Sequence, residues 1–360
     1  EANWEEGNYS TDFYTDKLIE YIGQNKEDGQ PFFAFGAYTS PHWPLQVDKK
    51  YWEKYKGRYD EGYEALREKR LNSLKKEGLI PQNTTLPPLH ESVKPWDSLS
   101  DDEKKREARK MELYAGMVNN LDYNVGRLVK YLKDNGMYEN TLIVFMSDNG
   151  AAYEDFYNLE EYKVLRTYYN EEYENMGNEN SYISYGSQWA EAGNAPFRYF
   201  KGYATEGGTH TPMIISGKNV KRVGETFDGF TTVQDLAPTF YALAGIKYPK
   251  TFNGKDVYPL RGKSILPFMS GKKNQVHKDN YVYAVEHYGN AMLRKGNWKI
   301  TNSIRPFKKD NFALYNITLD KGELNDLKTE EPEKYAELLA EWEKFANETK
   351  LQIPTPKRKK

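Results

Sequence analysis

Thr141-Leu142-Ile143-Val144-Phe145-Met146-Ser147-Asp148-Asn149-Gly150 is the stretch on which the fold turns. Thr141 to Asp148 reads as the clearest buried strand, since Leu142 to Met146 form an apolar run without alternation. A strand buried on both faces reads this way, and such strands belong to sheets covered by helices. Ser-Asp-Asn-Gly then stops the run with residues that favour a turn. Ahead of it, Ser100-Asp101-Asp102-Glu103 has the Ser-x-x-Glu form of a capping box. Met111, Tyr114, Met117, Leu121, Val125, Leu128 and Leu132 follow at helical spacing, and Gly136 suits the position just past the end. A long helix therefore precedes the strand.

Further out, Pro31 to Tyr38 (PFFAFGAY) reads as a second buried strand and Thr211 to Ser216 (TPMIIS) as a third. Tyr14, Leu18, Tyr21 and Ile22 predict a helix stopping near Gly23, and Leu236 to Leu243 predicts another. Past Gly271 the strand-like pieces are short and close: Tyr281 to Glu286, Ala291 to Arg294, Trp298 to Thr301 and Phe312 to Ile317. An antiparallel sheet fits them. A last helix starts at Glu331-Pro332, with Tyr335, Leu338, Leu339, Trp342 and Phe345 on one face. The pattern is an α/β domain over residues 1–270 and a smaller α+β domain over 271–360. Residues 45–98 read as an irregular excursion with short helices. Residues 153–199, rich in Tyr, Asn and Glu, read as a long insertion of the kind that tends to be functional or mobile.

The 360 residues include no cysteine, which excludes disulfides, thiolate metal sites and a thiol nucleophile encoded in this chain. Lys and Arg number 51 against 53 Asp and Glu, a net charge of −2, and no basic nucleic-acid footprint follows from that balance. Lys357-Arg358-Lys359-Lys360 reads as a solvated end. No segment approaches the roughly 18 apolar residues of a membrane span. The chain opens Glu1-Ala2-Asn3-Trp4 with no initiator Met and no signal-peptide pattern, so Glu1 reads as a processed or truncated end.

Ligands of open α/β sheets bind beyond the carboxyl ends of the strands. That rule selects His42 after the first strand, Asp148 and Asn149 after the second, and the stretch from Lys201 to His210 before the third. Hard oxygen donors, a lysine and histidines suit an anionic, oxygen-rich substrate held with a divalent cation. Each residue also has an ordinary reading. His42 between Pro41 and Pro44 can simply hold a loop, Ser147 to Gly150 is a common turn, and Lys201 alone is a surface lysine. Asp101 and Asp102 are better explained as a helix start than as a metal site. His90, His277 and His287 have no telling neighbours in the sequence.

Taken in order, these segments resemble the sulfatase family of the alkaline-phosphatase-like superfamily, and bacterial arylsulfatases above all. The resemblance rests on Tyr9 to Asp16, Pro41-His42-Trp43-Pro44-Leu45-Gln46, Tyr114 to Val118 with Leu121-Asp122, Phe145 to Gly150 and Lys201 to Pro212. Leu293 to Lys299, Leu314 to Asn316 and Gly322 to Leu327 extend it into the family's C-terminal subdomain. It implies a mixed sheet sandwiched by helices, and hydrolysis of sulfate monoesters, aryl sulfates among them, through a formylglycine nucleophile and calcium. Asp148 and Asn149 match one pair of calcium ligands. His42 and Lys201 match groups that contact the sulfate and assist the leaving group, and His210 joins them as substrate-binding.

The family's formylglycine signature, Cys or Ser followed by x-Pro-x-Arg, does not occur in this chain. Neither do the paired aspartates of its first strand, nor its Gly-Lys-Trp-His type segment. The resemblance thus predicts a chain lacking the N-terminal part of the catalytic domain, inactive alone, with that missing fragment as a partner. It further implies a sulfate ester or sulfated sugar as ligand and a periplasmic or secreted location. Two alternatives stay open: a phosphatase or phosphonate hydrolase of the same superfamily, and a non-catalytic relic.

Overall fold

The computed structural model describes residues 7–24 and 26–353; Glu1 to Trp4 and Lys357 to Lys360 lie outside them. The chain divides into two compact units.

The first unit comprises residues 1–137, 148–211 and 319–324. Its helices are α1 (Ser10–Gln24), α2 (Lys49–Trp52), α3 (Gly62–Lys76), α4 (Asp101–Asp134), α5 (Gly186–Asn194) and α6 (Glu206–Thr209). Helix α4 starts on the capping box expected for it. The Glu103 N–H donates to Ser100 Oγ, and the Ser100 N–H donates to Glu103 Oε2 at 2.8 Å. Its end coincides with Gly136, whose φ of 68° needs a residue without a Cβ. Asn120 and Asn124, both buried on α4, donate to Asp12 Oδ1 on α1 at 3.0 and 2.6 Å, locking the two helices together. The core gathers Leu45, Tyr63, Trp96, Leu113, Ile183 and Trp189. The insertion therefore contributes buried aromatic and aliphatic side chains. It forms a wall built on single turns and on α5, and its lack of periodicity reflects irregular backbone, not absent packing.

Residues 31–38 correct the expectation of a buried strand. Phe33 and Phe35 are 73% and 79% exposed, and among the described residues no strand pairs with this segment. A strand covered on both faces needs hydrogen-bonded neighbours on its edges and helices above and below. Here α1 lies against the far end, where Thr15 Oγ1 and Tyr38 Oη are 2.9 Å apart.

The second unit comprises residues 138–147, 212–318 and 325–360. Strands β1 (Leu142–Met146) and β2 (Met213–Gly217) pair antiparallel, with Val144 opposite Ile215. The strand expected over 141–148 forms, but it is not fully buried: Phe145 is 40% exposed, and Ile214 on β2 is 63% exposed. The short hairpin of β3 (Thr251–Phe252) and β4 (Lys255–Asp256) follows α7 (Leu236–Ala244) and precedes α8 (Leu266–Met269). Then β5 (Val282–His287), β6 (Asn290–Lys295), β7 (Trp298–Asn302) and β8 (Ala313–Asn316) form a four-stranded antiparallel sheet in sequence order. Helix α9 (Pro332–Thr349) buries Leu338 and Trp342 against Leu293, Ile300, Phe312 and Leu314 of this unit. These elements agree closely with the expected small α+β region. His277 lies here, fully buried, with Nε2 at 2.9 Å from Asp235 Oδ2, so its sequence neighbourhood concealed a partner forty-two residues away.

Candidate functional site

All five residues singled out above belong to the first unit. His42 stands in the Pro41–Pro44 loop, where its Nδ1 is 2.8 Å from the Trp43 carbonyl oxygen. A carbonyl only accepts, so the proton sits on Nδ1, and in the neutral ring Nε2 is left as the acceptor. Lys201 Nζ approaches that Nε2 at 3.5 Å. On its other side Lys201 faces Glu154 Oε1 at 4.0 Å, with both side chains partly buried. The sequence marked His42 and Lys201, and the structure brings them together. It did not mark Glu154, whose position in an unpatterned segment carried no signal.

The loop of Asp148, Asn149 and Gly150 is tied to the lysine segment through backbone. The Lys201 N–H donates to Ala151 O at 3.1 Å, and the Gly150 N–H donates to Gly208 O at 3.2 Å. Asn194, at the end of α5, clamps the same place: its Nδ2 donates to Gly207 O at 2.8 Å and to Tyr199 O at 3.0 Å, while its Oδ1 accepts from the Ala151 N–H at 3.3 Å. A Cβ on Gly150 would overlap the Gly207 carbonyl oxygen, so this crossing of backbones requires glycine. The turn residues that looked ordinary are thus fixed by the segment carrying Lys201. Tyr199, two residues before Lys201, holds φ at 62°, a left-handed value that bulky residues rarely adopt.

Asp148 is exposed, and the Asn149 amide donates to Gly150 O at 2.8 Å. Both residues offer oxygen to a hard cation, which fits calcium in kind. In number they fall short, because calcium takes about six to eight oxygens. The described residues contain no group of three or more His, Cys, Asp or Glu able to hold a metal. Asp148 and Asn149 by themselves would supply only part of a calcium shell.

His210 is placed differently from the pair. It is exposed, its Nδ1 lies 3.0 Å from Glu206 Oε2, and its ring stacks on Phe197 with centroids 4.5 Å apart. Glu206 is itself anchored, its N–H donating to Glu323 Oε2 at 2.7 Å. His90 is another residue the sequence passed over. Its Nε2 is 3.0 Å from Tyr203 Oη and its Nδ1 is 2.8 Å from Ser92 Oγ, and burial pulls its pKa below the usual histidine value.

The fold is that of the alkaline-phosphatase-like sulfatases. The chain belongs to the sulfatase family: the family model described as sulfatase matches residues 1–246, and the one described as N-sulphoglucosamine sulphohydrolase, C-terminal, matches residues 197–352. An uncharacterised sulfatase of Schizosaccharomyces pombe is 42% identical over 95% of this chain and 62% of its own length. An arylsulfatase of Klebsiella aerogenes is 36% identical over 71% of this chain and 55% of its own length. Among solved structures, i-CgsB in complex with k-i-k-neocarrahexaose superposes with a TM-score of 0.62 at 24% identity, covering 96% of this chain and 56% of that one, a likeness of fold. The chain thus spans about 55 to 62% of the length of these curated relatives. Among the described residues no helix is long and apolar enough to cross a membrane.

Proposed function

We propose that the protein hydrolyses sulfate monoesters, aryl sulfates among them, at a site formed by His42 and Lys201 beside Asp148 and Asn149. The observation that carries this reading is the approach of Lys201 Nζ to His42 Nε2 at 3.5 Å, with Lys201 bonded through its N–H to the Asp148–Ala151 loop. Membership of the family and the similarity to an arylsulfatase support the reaction class.

Cleavage of a sulfate ester builds negative charge on the sulfuryl oxygens and on the bridging oxygen. The Lys201 ammonium is a fixed positive charge for the former. His42 is held by its Nδ1–H, so Nε2 is the atom that takes up a proton and passes it to the departing oxygen. Glu154 sets a carboxylate oxygen 4.0 Å from Lys201 Nζ and so helps to position the side chain. Sulfatases generally use calcium and a formylglycine. A cation held with Asp148 and Asn149 would add charge stabilisation at the sulfuryl oxygens. The chain has no cysteine and no Ser-x-Pro-x-Arg, so the formylglycine signature does not occur in its 360 residues. By family, we place the protein in the periplasm or outside the cell.

Sodium sulfate titrated calorimetrically into the 360-residue chain tests the reading. One anion site is expected, weakened about tenfold or more by Lys201→Ala and by His42→Ala, as losing a hydrogen bond to a charged group implies. Affinity in both variants equal to that of the unaltered chain would contradict it.

A further inference from the structure

Asn194 is the last residue of α5, and Trp189, Ala190 and Ala192 of that helix are buried in the core of the first unit. A side chain carried by an element so anchored has a fixed origin. The Asn194 amide spends both of its N–H protons on carbonyls of the lysine segment, Tyr199 O and Gly207 O, while its Oδ1 takes the Ala151 N–H. Ala151 in turn accepts the Lys201 N–H on its carbonyl oxygen. One side chain therefore joins the loop after Asp148 to both arms of the segment that carries Lys201. Those arms lie backbone against backbone. A Cβ on Gly207 would overlap the carbonyl oxygens of Arg198 and Tyr199, and one on Gly208 would overlap that of Tyr203.

Tyr199 is where the hold matters. Its φ of 62° is left-handed, a conformation that costs a non-glycine residue free energy and persists only where the surroundings enforce it. The carbonyl of this same residue is one of the two that the Asn194 amide binds, at 3.0 Å. A Tyr199 relaxed to negative φ would redirect the chain two residues before Lys201. The ammonium would then leave its place 3.5 Å from His42 Nε2.

We propose that Asn194 is a positioning residue of the anion site: it holds Tyr199 left-handed, and so sets the backbone from which Lys201 meets His42. This rests on the sulfate-ester reading above and adds to it a residue that acts through Lys201. Without the Asn194 amide, only a fraction of molecules keeps the lysine in place, and apparent sulfate affinity falls by that fraction. Glycine adopts positive φ without penalty, so Tyr199→Gly restores the fraction by another route.

The test is calorimetric titration of sodium sulfate into the 360-residue chain and into Asn194→Ala, Tyr199→Gly and the double variant, with thermal melting alongside. Asn194→Ala is expected to bind sulfate about tenfold more weakly, and the double variant to regain about threefold of that loss. Tyr199→Gly alone is expected to stay within about twofold of the unaltered chain. A residue that only stabilised the fold would lower the melting temperature and leave affinity, read well below it, unchanged. Should Asn194→Ala not fold, Asn194→Ser, whose hydroxyl donates one hydrogen bond where the amide donates two, is read in its place. Unaltered affinity in a folded Asn194 variant, or a loss that Tyr199→Gly does not reduce, overturns the positioning role, while sulfate binding by the unaltered chain keeps the sulfate reading intact. Absence of sulfate binding by the unaltered chain overturns both.

Discussion

Glu171 sits where burial, and then the negative charge of Asp155, oppose ionisation, and its carboxyl is pushed up from 4.5 to about 7 despite Lys110, Arg106 and Arg166 nearby. The consequence for stability has a definite sign. A carboxyl whose folded-state pKa is raised holds its proton in the folded chain after the unfolded chain has lost it. Its stabilising contribution is complete below about pH 4.5 and is lost as pH rises through about 7. Melting temperature is therefore expected to fall between pH 5 and pH 8, and Glu171→Gln, which cannot ionise, should flatten that fall. An unchanged slope in the variant would show that other groups set it. The same scale explains why the site was half legible. His42 stands between two prolines and Lys201 beside a glycine-rich turn, features visible in a linear sequence. Glu154 acquires its meaning only from Lys201, forty-seven residues later in the chain.

Helix α4 shows what a sequence dictates at the level of elements. Its start is written in Ser100 and Glu103, its buried face in the spacing from Met111 to Leu132, its end in Gly136. Ser100→Ala removes the acceptor of the Glu103 N–H and the reciprocal geometry of the box. It should cost about 1 kcal/mol of unfolding free energy in a denaturant titration. No measurable loss would mean that packing of α1 and α2 on α4 alone fixes the helix start. The sheet β5–β8 and helix α9 were equally legible, because each strand alternates or is bounded by turns and α9 carries one apolar face. Residues 31–38 were not. Their composition is that of a buried strand, yet burial depends on what lies alongside, and no strand among the described residues pairs with them. A run such as PFFAFGAY states a need for cover without saying what provides it.

For the whole molecule, the sulfatase family and its fold are the firm result, and every residue of the candidate site lies within one compact unit. That unit presents a lysine and a histidine side by side, and an Asp-Asn pair on the adjoining loop. The formylglycine signature does not occur in these 360 residues, and anion binding is the property through which the site is most directly read. The decisive measurement is a crystal structure of the chain soaked in sodium sulfate. An anion is expected within about 3 Å of both Lys201 Nζ and His42 Nε2, the distance of a charge-assisted hydrogen bond. Sulfate bound elsewhere on the chain, with Lys201 and His42 contacting none, would contradict it.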